Sequence, residues 1–305
     1  MGFRADKIWM DGNLVDWEAS KIHVLSHVVH YGSGVFEGVR LYEVGDRSAV
    51  FRLHEHTRRL FESAKTYRMT IPYSETEINE AILETLRVNK LRHAYIRPLV
   101  YRGFGELGLS PKKCPVNVTI AAWNWGTYLG EVGLEKGIAV CVSTWNRPAP
   151  NTIPSLAKSC GNYINSQLIK MEAEERGFAE GIALDVDGRI AEGSGENLFL
   201  VRDNVVYTPT QSYSILPGIT RSTVMTILKE LGYTVREEAL PREMLYYADE
   251  IFLTGTAAEV TPVVRVDSFK VGKGERGPIT AAVQKRFFSI LRGSSPDTHN
   301  WLTFL

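Results

Sequence analysis

The sequence predicts an α+β protein of two domains. Strand-like and helix-like stretches mix along the chain without the strict alternation that builds a parallel α/β sheet. A glycine-rich, aperiodic stretch, NWGTYLGEVGLEKG, interrupts them midway. At 305 residues the chain is long enough for one large or two ordinary domains. Residues 124–130 read as an interdomain linker between a small N-terminal domain, 1–123, and a larger C-terminal domain, 131–305.

KIWMDGNLV places an Asp-Gly pair between apolar runs, the signature of a hairpin. VFEGVRLY and HAYIRPLVYR are strand-like. Between them, HEHTRRLFESAKTYRM sets Leu60, Ala64 and Tyr67 at helical spacing. SETEINEAILETLRVNK opens with a capping box, Ser74 and Glu77, and continues with Ile78, Ile82 and Leu86 on one face. VNVTIAAW reads as a buried strand and GIAVCVSTW as the first strand after the linker. A helix is predicted over 162–179, followed by hairpins turning at Asp187-Gly188 and Asp203-Asn204. Helices over 219–231 and 280–291, with a strand over 250–254, complete the chain.

Charge and composition exclude several classes. The 35 basic and 35 acidic side chains balance, so no polyanion or membrane surface is indicated as a partner. The longest apolar runs are strand-length, too short to cross a bilayer as a helix. Cys114, Cys141 and Cys160 are odd in number and lack metal-ligand spacing, and His23, His27 and His30 have no Cys or carboxylate near them at zinc-site spacing. No metal site is expected, and a reduced, cytoplasmic protein fits best.

From Pro148 to Ile169 the only charged side chain is Lys158. An ammonium buried without a partner tends to lose its proton, and a neutral amine is a nucleophile suited to a Schiff base. The competing reading is that Lys158 lays its stem on the core and keeps its head in water. Four other stretches bear on the choice. In EGSGENLF, glycines can aim Glu192 or Glu196 inward; the two form an acid/base pair, or one holds a cationic ring nitrogen. LPGITRST puts a Pro-Gly turn directly before a helix whose first N–H groups, near Thr220 and Ser222, suit an anion. TGTAAEVTPV brings a strand into small residues around Thr256. In HEHTRRLF, adjacent Arg58 and Arg59 lie on a helix, so only one can face a site as a phosphate grip. Lysine, carboxylate, helix-start cradle, arginine and threonine together are what pyridoxal 5'-phosphate needs.

Eight stretches, YGSGVFEGVR, EHTRRL, YIRPL, WGTYLG, AKSCGNY, EGSGENLF, LPGIT and GTAAEVTPV, occur in order along nearly the whole chain. In this the sequence resembles the fold-type IV (class IV) pyridoxal-phosphate aminotransferases, specifically the bacterial branched-chain type. The resemblance implies a small α/β domain and a larger domain with a barrel-like sheet core, the cofactor lying at their interface. It implies Lys158 as Schiff-base lysine, Tyr163 at the ring oxygen, Glu192 at the ring nitrogen, Arg59 and Thr256 at the phosphate, and Leu216, Ile219 and Thr220 in the LPGIT cradle. For substrate it implies Tyr31, Phe36, Gly38 and Trp125 around the side chain, with Tyr95 and Arg97 handling the carboxylates. Thr256 and Ala257 would offer backbone N–H groups to the α-carboxylate, and Leu109 and Tyr128 would come from a neighbouring subunit. The implied activity is transfer of the amino group of leucine, isoleucine or valine to 2-oxoglutarate, in a homodimer or a higher oligomer such as a hexamer. D-amino-acid aminotransferases, (R)-amine transaminases and aminodeoxychorismate lyases share the fold, while a cofactor-free Schiff-base aldolase would leave Glu192 and the cradle idle.

Overall fold

The structure, a computed structural model, describes residues 4–126 and 129–305. The chain separates into two compact units. The first holds 1–125, the short segment Ala157–Gly161 and the C-terminal stretch Ile290–Leu305; the second holds Gly126–Leu156 and Asn162–Ser289. Lys158 therefore travels with the N-terminal unit rather than with the segments on either side of it. Backbone bonds within that unit give the reason. Phe36 N–H donates to Lys158 O at 3.0 Å, Lys158 N–H donates to Ser63 Oγ at 3.0 Å, and Ser159 bridges Val35.

In the first unit the elements are β1 (Lys7–Met10), β2 (Asn13–Asp16), α1 (His27–Tyr31), β3 (Gly34–Phe36), β4 (Val39–Val44), β5 (Arg47–Phe51), α2 (Leu53–Thr66), α3 (Glu75–Val88), β6 (Ala94–Arg102) and β7 (Val116–Trp123). They form one sheet ordered Leu302–Phe304, β5, β4, β6, β7, β1, β2, with β3 also paired to β6. The β1–β2 hairpin turns at Asp11 and Gly12, both at positive φ, as a two-residue Asp-Gly loop requires. VFEGVRLY, read as one strand, is two. β3 and β4 keep one register on β6, but Pro98 stands between them; its carbonyl accepts from Glu37 N–H at 2.9 Å and it has no N–H to return. The capping box starts α3 as expected, Glu77 N–H donating to Ser74 Oγ and Ser74 N–H to Glu77 Oε2. Leu60 and Ala64 of α2 and Ile78, Ile82 and Leu86 of α3 are buried with Val39, Ile96, Val118 and Ile120 of the sheet.

The second unit comprises α4 (Glu131–Lys136), β8 (Ile138–Val142), α5 (Tyr163–Glu175), β9 (Glu180–Leu184), β10 (Ile190–Gly193), β11 (Asn197–Arg202), β12 (Val205–Pro209), α6 (Ile219–Glu230), β13 (Thr234–Glu238), α7 (Met244–Tyr247), β14 (Glu250–Gly255), β15 (Glu259–Val266), β16 (Phe269–Lys270) and α8 (Pro278–Leu291), whose last two residues fall in the first unit. The sheet order is β10, β9, β8, β15, β14, β11, β12, β13, with β16 on β15. Its pairs are mixed, parallel at β8–β9, β8–β15 and β12–β13 and antiparallel elsewhere. The sheet curls enough to bring β10 back towards β12. Both expected hairpins are present, and Asp203 and Asn204 take positive φ. The helix expected over 162–179 is shorter: Gly177 at φ +75° and the bonds Phe178 N–H to Ala173 O and Gly177 N–H to Glu174 O end α5 in a Schellman motif. The glycine-rich stretch holds a short helix, α4, between Gly130 and Gly137, which its weak periodicity did not reveal.

Candidate active site

The candidate side chains gather separately in each unit. In the first, the bend between β3 and β4 brings Phe36 under Lys158, whose Nζ lies 5.0 Å from the ring centroid. Arg97, from the middle of β6, covers the same ring at 4.8 Å. Its Nη2 donates to the Tyr95 hydroxyl at 3.2 Å, its Nε is buried with no hydrogen-bond partner, and among the described residues no carboxylate pairs with it. Tyr95 stands edge-on to Trp125, ring centroids 4.7 Å apart. Gly38 faces the Tyr95 hydroxyl so closely that a Cβ there would collide with it. Phe36, Gly38, Tyr95, Arg97, Trp125, Arg59 and Lys158, named separately from the sequence, thus form one cluster.

Lys158 lives among cations and aromatics. Loss of solvation, then the Arg59 guanidinium, pull its amine from 10.5 down to about 8, against the opposing pull of Glu37. A buried group the sequence did not disclose controls this neighbourhood. Glu37 accepts from Arg59 Nε at 2.7 Å and Nη2 at 2.9 Å and meets His56 Nδ1 at 2.7 Å. Burial alone would raise the Glu37 carboxyl, but Arg59 and then His56 hold it well below the usual carboxylate range. Burial lowers His56, making it a neutral donor from Nδ1. Arg58, next to Arg59, points to solvent.

Tyr31 and Leu109 lie in the same unit but outside this cluster. Both are exposed, Leu109 at 84%, and Tyr31 packs on His27. Tyr128 falls outside the described residues.

In the second unit, Glu192 lies one residue before the end of β10, and both its carboxylate oxygens are bonded. Arg147 Nη2 lies 2.9 Å from Oε1, while Oε2 accepts from Leu216 N–H at 3.0 Å and Asn197 Nδ2 at 3.2 Å. Asn197 also donates to Leu216 O, tying the strand to the LPGIT turn. Gly218 then starts α6 without a side-chain cap, leaving the first-turn N–H groups of Ile219 and Thr220 without one. A Cβ at Gly218 would collide with Asn197 Oδ1, so glycine keeps the backbone close to the strand. Thr256 and Ala257 form the half-buried turn between β14 and β15, and Tyr163 opens α5, also half-buried. Arg147 and Asn197 escaped the sequence reading. Asn197 sits inside the quoted EGSGENLF and was the more accessible of the two; Arg147 carries no local signal.

Residues 34–266 match the family model for class IV amino-transferases, and the chain belongs to that family. It is 50% identical over 300 residues to the branched-chain-amino-acid aminotransferase of Escherichia coli K12, spanning 98% of this chain and 97% of that one. It is 47% identical to the enzyme of the same name from Pseudomonas aeruginosa, spanning 100% and 99%. The crystal structure of the Escherichia coli branched-chain amino acid aminotransferase superposes with a TM-score of 0.97, covering 98% of this chain and 99% of that one. The branched-chain aminotransferase of the thermophilic archaeon Thermoproteus uzoniensis, solved with norvaline, matches with a TM-score of 0.94 and 41% identity over 99% of each chain. No helix of the described residues is long and apolar enough to cross a membrane, and no group among them could hold a metal ion.

Proposed function

We propose that this protein is a pyridoxal-5'-phosphate-dependent aminotransferase that moves the amino group of L-leucine, L-isoleucine or L-valine to 2-oxoglutarate and back, by a ping-pong cycle. The observation that carries the reading is the cluster around Lys158: an amine lowered to about 8, seated on Phe36, beside Arg97, a cation that pairs with no carboxylate among the described residues. A nucleophilic lysine next to an unneutralised guanidinium suits a substrate that bears both an amino group and a carboxylate. The names of the relatives support the substrate class.

The residues fit the cofactor. The Gly218 cradle admits no side chain, the first turn of α6 offers N–H groups to a phosphate, and Arg59 offers a guanidinium. Glu192, oriented by three donors, is the carboxylate that would face a protonated ring nitrogen. Tyr163, Leu216 and Thr256 complete the set. When bound, the cofactor supplies an electron sink for charge at the substrate α-carbon. Lys158 Nζ would take the proton from that carbon and hold it for return, acting in turn as base and acid. Arg97 and the Tyr95 hydroxyl orient a carboxylate, Thr256 and Ala257 present backbone N–H groups to the α-carboxylate, and Phe36, Gly38, Trp125 and Tyr31 shape an apolar pocket, each buried methylene adding about 0.8 kcal/mol. Leu109 would enter from a second copy in a homodimer or higher homo-oligomer.

The visible spectrum of the cofactor-loaded protein tests this directly. L-leucine and L-glutamate, added singly without an oxo acid, should each bleach the band, and D-alanine should not; Lys158→Ala should bind cofactor without turning over. Bleaching by D-amino acids alone would leave the cofactor in place and overturn the substrate assignment.

A further inference from the structure

Glu37 is absent from the inventory that the reaction itself calls for, yet it is the most enclosed charge in the first unit, at 0% exposure. Its backbone N–H and both carboxylate oxygens are hydrogen-bonded. Its backbone N–H donates to Pro98 O, the Gly38 N–H approaches its Oε2 at 3.2 Å, and the carboxylate takes the two bonds from Arg59 and the one from His56. A buried ion pair of this kind brings little net stability, because desolvation cancels most of the attraction. What it does bring is orientation. Glu37 grips Arg59 side-on, through Nε and Nη2, which fixes the plane of the guanidinium and turns the Nη1 edge away from the carboxylate. His56, held neutral, braces the carboxylate without competing for the arginine.

We propose that Glu37 is a positioning residue of the active site: its two-point grip fixes the plane in which the Arg59 guanidinium meets the phosphate of the cofactor. The inference rests on reading Arg59 as a phosphate ligand. It assigns Glu37 no contact with substrate or cofactor, so its effects pass entirely through Arg59.

The test compares affinity for pyridoxal 5'-phosphate with affinity for pyridoxal, which lacks the phosphate, in the full chain and in Glu37→Gln, Arg59→Gln and the double variant. Glu37→Gln should lose about tenfold or more in affinity for the phosphorylated form, one charge-assisted contact's worth, with pyridoxal affinity unchanged. The double variant should be no weaker than Arg59→Gln alone. Glu37→Asp keeps the charge but is one methylene too short for both bonds; it should show the same phosphate-selective loss, and it carries the comparison if Glu37→Gln does not fold. Equal losses for both ligands, or a double variant that multiplies the two single losses, would overturn the positioning role. If Arg59→Gln keeps the full advantage of the phosphate, the reading of Arg59 fails first, and the two failures are distinct.

Discussion

Glu196 is a carboxyl that the fold buries without an ion pair of its own among the described residues. Its side chain packs against Gly193, and the Gly195 N–H reaches Oε2 at 3.1 Å. Burial, and then the neighbouring Glu180 carboxylate, push it up to about 8, so it is protonated at neutral pH. The glycine turn by itself left either Glu192 or Glu196 open, and the resemblance singled out Glu192; in the structure the two differ, one bound by Arg147 and the other kept neutral. The sign of the consequence follows from linkage. Below pH 4.5 both folded and unfolded chains hold this proton. Between 4.5 and about 8 only the folded chain does, so stability falls as pH rises, by up to ~1.4 kcal/mol per pH unit, and the penalty is complete above 8. Glu196→Gln keeps the shape and removes the titration. Thermal unfolding should show the variant gaining several degrees over the parent at pH 8.5 and nothing at pH 4.5. Parallel Tm curves for the two proteins would show that Glu196 is ionised at neutral pH after all.

At the scale of elements, α6 and α3 make a controlled comparison. Both begin after a turn, but α3 is capped by Ser74 whereas α6 begins on Gly218 with no side-chain cap. Ser74→Ala should cost about 1 kcal/mol of stability and leave cofactor affinity alone. Gly218→Ala should do the reverse. The added methyl displaces Asn197, which bonds Glu192 and the Leu216 carbonyl together, so cofactor affinity should drop by about tenfold or more at a modest change in Tm. A Gly218→Ala protein that retains its cofactor as tightly as the parent would remove the cradle from the site. The same elements show what a sequence discloses. Helix faces and hairpin turns were legible because their signals are local: Leu60 with Ala64, Ile78 with Ile82, Asp203 with Asn204. The strand break at Glu37 was not, because its cause is Pro98, across the sheet. The end of α5 was misplaced although Gly177 marked it, since apolar residues run on through Phe178 and Ala179.

At the scale of the whole chain, the sequence names the side chains proposed to react but not the groups that hold them. Lys158 announced itself by isolation from other charge and Ile219 and Thr220 by the turn before them, whereas Glu37, His56 and Arg147 act through partners 19 to 45 positions away. Exposed apolar side chains also carry information. α1 and the segment leading to it expose Val24, Val29 and Tyr31, and the loop after β6 exposes Phe104, Leu107 and Leu109. These two stretches are one surface: His23 stacks on Phe104, the His27 backbone N–H donates to Gly103 O, and His27 Nε2 lies 3.0 Å from Gly108 O while Nδ1 holds Ser33. Side chains this apolar, gathered and held in place by polar bonds beneath them, form the kind of patch that another protein surface covers. In the proposed homo-oligomer that cover is a second copy of the chain, and Leu109 and Tyr31 become part of the substrate site. Leu109→Asp is the discriminating change, since the side chain is 84% exposed in the protomer and a charge there costs the isolated fold nothing. Sedimentation at micromolar concentration should show the parent as a dimer or larger and the variant shifted towards protomer, with activity falling in step and recovering as concentration rises. A variant that sediments like the parent and keeps its preference for leucine would leave this apolar face to some other partner.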